Sequence, residues 1–197
     1  MITIGLTGGI GSGKSFVAQR FEYFGVPCYN CDERAKLLYD TDKIQRLVTD
    51  RYGAEAYKGG KLNRQFLASR IFADKAELEW INSIIHPAVR TDFEVWRSSQ
   101  STEIVAVESA ILYEGGLDKL CDIVVAVMAP LEVRIARVIK RDGASRQQVK
   151  QRIENQNSEA AFEANADYVI MNDGVADIDV AIKKIIENQR NAHEAKA

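Results

Sequence analysis

The run GGIGSGKS, residues 8–15, follows the apolar opening ITIGL after a single threonine and fits the spacing G-x-x-x-x-G-K-[ST]. A chain that sets its least constrained backbone at the end of its first buried strand commits itself to a strand, a loop and a helix in that order. Glycine freedom lets several N–H groups converge on one anion at the start of that helix. Gly8, Gly11 and Gly13 can bend the backbone around a β-phosphate in this way. Lys14 can then bridge β- and γ-phosphate oxygens, and the Ser15 hydroxyl can ligate a magnesium ion shared by the same phosphates. The expected ligands are ATP and Mg²⁺.

The rest of the chain supplies the sheet that such a loop needs. VPCY reads as a second short strand, and EIVAVE (103–108), DIVVAVM and DYVIMN as three more, rich in Val and Ile as parallel strands covered on both faces are. Helices are expected from Lys14 to Phe24, ended by Gly25, and from Asp32 through ERAKLLYD. Others cover LEVRIARVIKRDG, ended by Gly143, a segment opened by the capping box SRQQ at Ser145, and about 176–190, with NAHEAKA frayed beyond. Between the second and third strands lie roughly sixty residues of helical pattern with no strand, Asn63 as an N-cap and Pro87 at a first turn, so that His86 marks a helix boundary. An ordinary crossover needs only about a dozen residues. The pattern therefore predicts a helical insertion over about 41–102, beside a nucleotide-binding core of 1–40 and 103–197. The fold class is α/β: a P-loop nucleoside triphosphate hydrolase fold, with a five-stranded parallel sheet, a helical substrate insertion and a lid over about 141–165.

Length and charge narrow the function. A chain of 197 residues suits one α/β domain. Its 28 acidic and 26 basic residues leave no basic field to draw in nucleic acid, and no apolar run approaches the roughly 18 residues of a membrane span. A cytoplasmic protein acting on small molecules, with neither nucleic acid nor membrane as partner, is the expectation. The three cysteines do not make a disulfide framework, and the C-x-x-C of Cys28 and Cys31 lacks the second ligand pair of a zinc site.

A phosphate loop alone does not separate kinases from switches and motors. A GTPase switch would carry N-K-x-D and a D-x-x-G after the third strand, and neither stands in those places. Asp32 instead follows the second strand, at the sheet edge where open α/β folds bind ligands, and can accept a hydroxyl proton. Glu108 ends the third strand as an acid able to hold magnesium through water. Arg134, Arg137 and Arg141 fall at i, i+3 and i+7 on one helix face, with Arg146 and Arg152 following. On a mobile lid such guanidinium groups would close on the transferring phosphoryl group and exclude water; otherwise they form a solvated, salt-bridged face.

With these pieces in order, the chain resembles the dephospho-coenzyme A kinase family along nearly its whole length. The resemblance rests on GLTGGIGSGKS, on CDERAKLL, on NRQFLASRIFAD and INSIIHPAVR in the insertion, on ESAILYEGGLDKLCD, and on RIARVIKRDGASRQQVKQRIENQ followed by ADYVIMNDG. It implies transfer of the ATP γ-phosphate to the ribose 3′-hydroxyl of dephospho-coenzyme A, the last step of coenzyme A synthesis. It also implies a nucleotide-binding sheet, a helical region for the coenzyme A moiety and a lid. By the same resemblance Gly11, Ser12, Gly13, Lys14, Ser15 and Phe16 would bind ATP, and the adenine would lie near residues 172–174. Asp32 would be the base, with Lys14 and Arg141 at the phosphoryl group and Ser15 and Glu108 on the metal. Two departures stand out: NCD replaces a frequent D-x-D, leaving Asp32 as the one acid there, and ESAIL replaces D-x-P-L-L. The alternatives are another P-loop small-molecule kinase, of nucleotide, nucleoside or shikimate type, and a non-catalytic nucleotide switch.

Overall fold

Two periodicities divide the chain: runs of apolar residues pair as parallel strands, and apolar residues recurring at three and four positions form helices. The structure is a computed structural model that describes residues 1–71, 74–156 and 159–195. Phe72 and Ala73 in the expected insertion, Asn157 and Ser158 in the expected lid, and Lys196 and Ala197 in the tail lie outside the described residues. Two compact units result, Met1–Tyr29 with Gln100–Ala197, and Asn30–Ser99.

The first unit opens with β1 (Ile2–Thr7), the loop and α1 (Lys14–Tyr23), and reaches β2 (Cys28–Asn30). The second contains α2 (Cys31–Leu38), α3 (Asp42–Tyr52), β3 (Tyr57–Lys58), β4 (Lys61–Leu62), α4 (Arg64–Ile71) and α5 (Lys75–Ser98). The chain then returns to the first unit with β5 (Ile104–Glu108), β6 (Ile123–Met128), α6 (Leu131–Asp142) and α7 (Arg146–Glu154). It closes with α8 (Glu159–Ala164), β7 (Tyr168–Met171) and α9 (Ile178–Glu194). Helix α9 thus runs past the expected frayed point at Arg190.

The sheet has the order β2-β5-β1-β6-β7. Strand β1 is central, pairing in parallel with β5 from Ile2↔Ile104 to Leu6↔Glu108 and with β6 from Ile4↔Ile123 to Thr7↔Ala126. Strand β6 pairs in parallel with β7. Parallel pairing brings the C-terminal ends of the strands to one edge, so the loop after Thr7, Glu108 and Asn172 share it. The two-residue period sends Ile2, Ile4 and Leu6 to the face covered by Val17 and Phe21 of α1 and by Ile182, Ile185 and Ile186 of α9. Ile4, Leu6, Val17 and Phe21 are fully buried, each contributing about 1.5–3 kcal/mol over an exposed side chain. That packing fixes the start of α1 at the sheet edge.

The second unit is helical around Ile44 and Val48 of α3, Ala56, Leu67 of α4 and Ile81 of α5. It departs from the sequence reading in three ways. A two-residue hairpin, β3 with β4, interrupts the stretch expected to hold no strand, because Gly59 and Gly60 both take positive φ, 58° and 76°, as a tight hairpin turn requires. Pro87 does not start a helix, and His86 does not end one: both lie within the 24 residues of α5. An interior proline costs about 3 kcal/mol, but Ile81, Ile85, Val89 and Phe93 form one buried stripe on both sides of it, and at about 1.5–3 kcal/mol each they outweigh that cost. Finally, α2 falls in the helical unit, where Arg34 holds Asp92 of α5 through two hydrogen bonds of 2.8 and 2.7 Å.

Candidate active site

The loop from Gly8 to Gly13 is held from outside by its carbonyl groups. Arg134 Nε donates to Ile10 O at 2.9 Å, Arg137 donates to Ser12 O at 3.2 Å, and Asn172 Nδ2 donates to Ser12 O at 2.8 Å. A trans peptide directs its N–H opposite its C=O. Tying the Ile10 and Ser12 carbonyls outward therefore turns the Gly11 and Gly13 N–H groups to the inner side of the loop. The fit leaves no room for side chains: a Cβ on Gly13, at φ 92°, would lie 2.1 Å from Asn172 Nδ2, and one on Gly11, at φ 79°, 2.5 Å from Arg134 O. The glycines of the motif thus serve close approach as well as backbone angle.

Lys14 and Ser15 open α1 at this edge. The Lys14 ammonium donates to Gly8 O at 2.8 Å and lies 3.4 Å from Gly9 O. Ser15 Oγ donates to Glu108 Oε1 at 2.7 Å. Glu108 is buried at the end of β5, so a hydroxyl and a carboxylate meet beside the loop. That donor pair fits magnesium, which takes one or two protein oxygens and fills its octahedron with phosphate and water. Among the described residues no cluster of three or more His, Cys, Asp or Glu side chains offers a metal site. Burial pushes the Cys28 thiol up, and its Sγ donates to Ala18 O, so Cys28 is a packed thiol.

A cavity of about 720 Å³ adjoins the loop, lined by Gly13, Phe16, Arg20, Arg137, Asn172 and Ile178 among others. Phe16 is half exposed on its wall, and Arg20 grips Asp179 of α9 through Nε at 2.7 Å and a second donor at 2.5 Å. The turn after Asn172 is set by Asp173, whose carboxylate accepts from Val175 N at 2.8 Å and Ala176 N at 2.9 Å. Those two N–H groups hold its carboxyl below the usual range.

Gly11, Ser12, Gly13, Lys14, Ser15, Phe16 and Glu108 are therefore gathered in one unit. Asp32 belongs to the other, exposed in the first turn of α2. Asn30, at the first position of the D-x-D pattern, caps α2 by accepting from Glu33 N at 2.9 Å. The expected arginine face divides. Arg134 is buried and Arg137 reaches the loop and Asn172, so these two brace the loop and are not a solvated row. Arg141 is exposed and pairs with Asp142 at 2.7 Å, lowering that carboxyl, while Arg152 joins the same carboxylate at 3.0 Å. Two participants escaped the sequence reading. Arg20 looks like any helix-surface charge, and Gln156, whose Oε1 accepts from Ile10 N at 2.7 Å, stands 146 residues from its partner; no local pattern announces either.

Comparison with known proteins decides the family. The family model described as Dephospho-CoA kinase matches residues 2–192. The chain belongs to the dephospho-CoA kinase family. It is 45% identical over 175 residues to the dephospho-CoA kinase of Bacteroides fragilis, covering 88% of this chain and 85% of that one. Its fold is similar to the crystal structure of TT1252 from Thermus thermophilus, with a TM-score of 0.83, 34% identity and coverage of 95% and 97%. It also matches the fold of dephospho-CoA kinase from Campylobacter jejuni, with a TM-score of 0.71, 21% identity and coverage of 97% and 98%. The P-loop kinase fold and the phosphotransferase class read from the sequence both hold: this member of the dephospho-CoA kinase family is a kinase of the last step of coenzyme A synthesis.

Proposed function

We propose that the chain moves the γ-phosphoryl group of ATP to the ribose 3′-hydroxyl of dephospho-coenzyme A through the residues gathered at the loop together with Asp32. Support comes above all from the clamped carbonyls, which orient Gly11 N–H and Gly13 N–H inward at the start of α1. Those donors cradle the β-phosphate, and Lys14 exchanges Gly8 O for phosphate oxygens. The cavity bounded by Phe16, Arg137 and Asn172 takes the adenine. Ser15 and Glu108 would hold Mg²⁺, which would supply positive charge to the phosphates. Asp32 orients the acceptor hydroxyl and takes its proton as the new O–P bond forms and the bond to ADP breaks. Arg141, with Asp142 and Arg152 around it, serves the phosphoryl group during turnover. The helical unit receives the coenzyme A moiety, and 141–165 acts as the lid. No described helix is long and apolar enough to cross a membrane. The setting proposed for the reaction is the cytoplasm, with small-molecule substrates.

A direct assay tests this. With ATP, magnesium and a panel of acceptors, ADP should appear only with dephospho-coenzyme A, and a chelator should stop its formation. Turnover with shikimate or a nucleoside instead, or tight nucleotide binding without acceptor-dependent turnover, would replace the proposal with one of the two alternatives.

A further inference from the structure

The phosphate reading of the loop leaves Ile10 without a role. Its N–H donates to Gln156 Oε1 at 2.7 Å, and its carbonyl accepts from Arg134 Nε at 2.9 Å. Its side chain packs against the buried cluster of Ile135 and Val138 of α6 and Val149 of α7, which Ile153 also joins. Three separate contacts thus hold one loop residue: Gln156, two residues beyond α7, Arg134 of α6, and an apolar cluster shared by both helices.

The geometry explains what the Gln156 contact does. Ile10 N–H and Gly9 C=O share one peptide plane and point in opposite directions. With the N–H fixed outward on Gln156, the Gly9 carbonyl faces inward, where it accepts from Ser12 N at 3.2 Å and stands 3.4 Å from Lys14 Nζ. Arg134 fixes the next plane in the same manner. Gln156 itself follows α7, which is started by a complete capping box of Ser145 and Gln148, and its own N–H returns to Ile153 O at 3.1 Å. The acceptor therefore sits on an ordered support.

We infer that Gln156 is a positioning residue for the phosphate loop: by accepting Ile10 N–H it sets the Gly9–Ile10 peptide plane and links α7 to the loop's readiness for nucleotide. The inference rests on the reading that this loop binds ATP. Whatever orders the loop then also orders the segment ending in Gln156, and the coupling runs equally in both directions.

Calorimetry with magnesium and ADP on the full chain tests it. Gln156→Leu removes the acceptor at similar bulk and should weaken ADP binding about tenfold, the size of one lost hydrogen bond. Gln156→Glu keeps an acceptor oxygen and should stay within about threefold of the parent. Exchange of the Ile10 amide with deuterium should quicken in Gln156→Leu alone. Parent-like affinity in Gln156→Leu, or equal weakening in both variants, overturns the inference. If Gln156→Leu no longer melts cooperatively, the unaltered chain decides: ADP must slow amide exchange over 149–156, and unchanged exchange there rejects the coupling. A parent chain that binds no ADP would instead reject the nucleotide reading on which the inference stands.

Discussion

The nucleotide unit and the helical unit both carry surface ion pairs, Arg20–Asp179 in the one and Arg34–Asp92 in the other, but they differ in their cores and in what holds their remaining polar groups. In the first, strands buried along their length pack Ile4, Leu6, Val17 and Phe21 into one continuous core, and the polar groups at the edge are clamped to backbone atoms. In the second, a smaller core of Ile44, Val48, Ala56, Leu67 and Ile81 is laced by side-chain pairs on the surface. Arg34 grips Asp92, Lys61 reaches Asp40, and Arg51 and Tyr52 converge on Glu77. Backbone clamps fix a small rigid ligand such as a polyphosphate. Side-chain lacing between helices can give way, as the larger acceptor proposed for this unit would require. Both tryptophans, Trp80 and Trp96, lie in the helical unit, so tryptophan fluorescence follows that unit alone while nucleotide affinity follows the other.

The largest effect expected is in the nucleotide unit. Lys14→Ala should abolish measurable transfer, since backbone donors cannot replace a charge on the β- and γ-phosphates. The tryptophan-monitored unfolding of the helical unit should stay as in the parent. Near-normal turnover would remove the loop lysine from the mechanism.

Next comes the one proposed chemical group on the helical side. Asp32→Asn keeps size and removes proton acceptance, so turnover should fall roughly 10²- to 10⁴-fold while ATP affinity stays within a few-fold. A loose phosphoryl transition state leaves the base a late, orienting role, which favours the lower end. A loss below about tenfold in a rate limited by chemistry would sink the assignment. Asn30→Asp placed beside Asp32→Asn should recover little, because residue 30 is spent on capping Glu33 N.

The arginines of α6 sharpen the contrast within one helix. Arg137→Ala should weaken ATP binding several-fold, because its contact is to the loop carbonyl of Ser12. Arg141→Ala should lower kcat roughly 10²-fold with less change in ATP affinity, as a contact made mainly in the transition state does. An Arg141 effect confined to KM would make it a surface partner of Asp142 and nothing more.

What the sequence made legible follows the same division. GGIGSGKS and the Val- and Ile-rich strands have local signatures, so the sheet, the loop and the carboxylate of Glu108 could be read in order. Pro87 misled because a local rule about proline was overridden by a buried stripe of four side chains that only the folded helix assembles. The hairpin at Gly59 and Gly60 hid because two-residue strands carry no period. Arg134 and Arg137 had the spacing of a solvent face, and what distinguishes them is the loop that lies against that face, a contact made across more than a hundred residues. Gln156 closes the stretch RIARVIKRDGASRQQVKQRIENQ, but nothing local ties it to Ile10, 146 residues away.

The smallest effect concerns the lacing of the helical unit. Glu77 accepts from Arg51 through two hydrogen bonds of 2.7 Å and from Tyr52 OH at 2.6 Å, and Arg51 and then Tyr52 pull its carboxyl from an ordinary 4.5 to about 2. A carboxyl depressed in the folded state contributes stability that is complete above its unfolded value and is lost as pH falls toward its folded one. The window is therefore about pH 4.5 down to about 2. Glu77→Gln should leave the helical unit less stable than the parent at neutral pH, with the two urea midpoints converging across that window. The gap should be small, because Arg51 and Glu77 keep 38% and 25% of their side-chain surface in solvent, where water and salt screen the pair. Trp80 is the natural reporter, since Arg51 lies 4.6 Å from its ring centroid and Tyr52 meets it edge-on. A gap that stays constant from neutral pH to pH 2 would mean that Gln costs the unit packing alone, and that the charge of Glu77 adds nothing to its lacing.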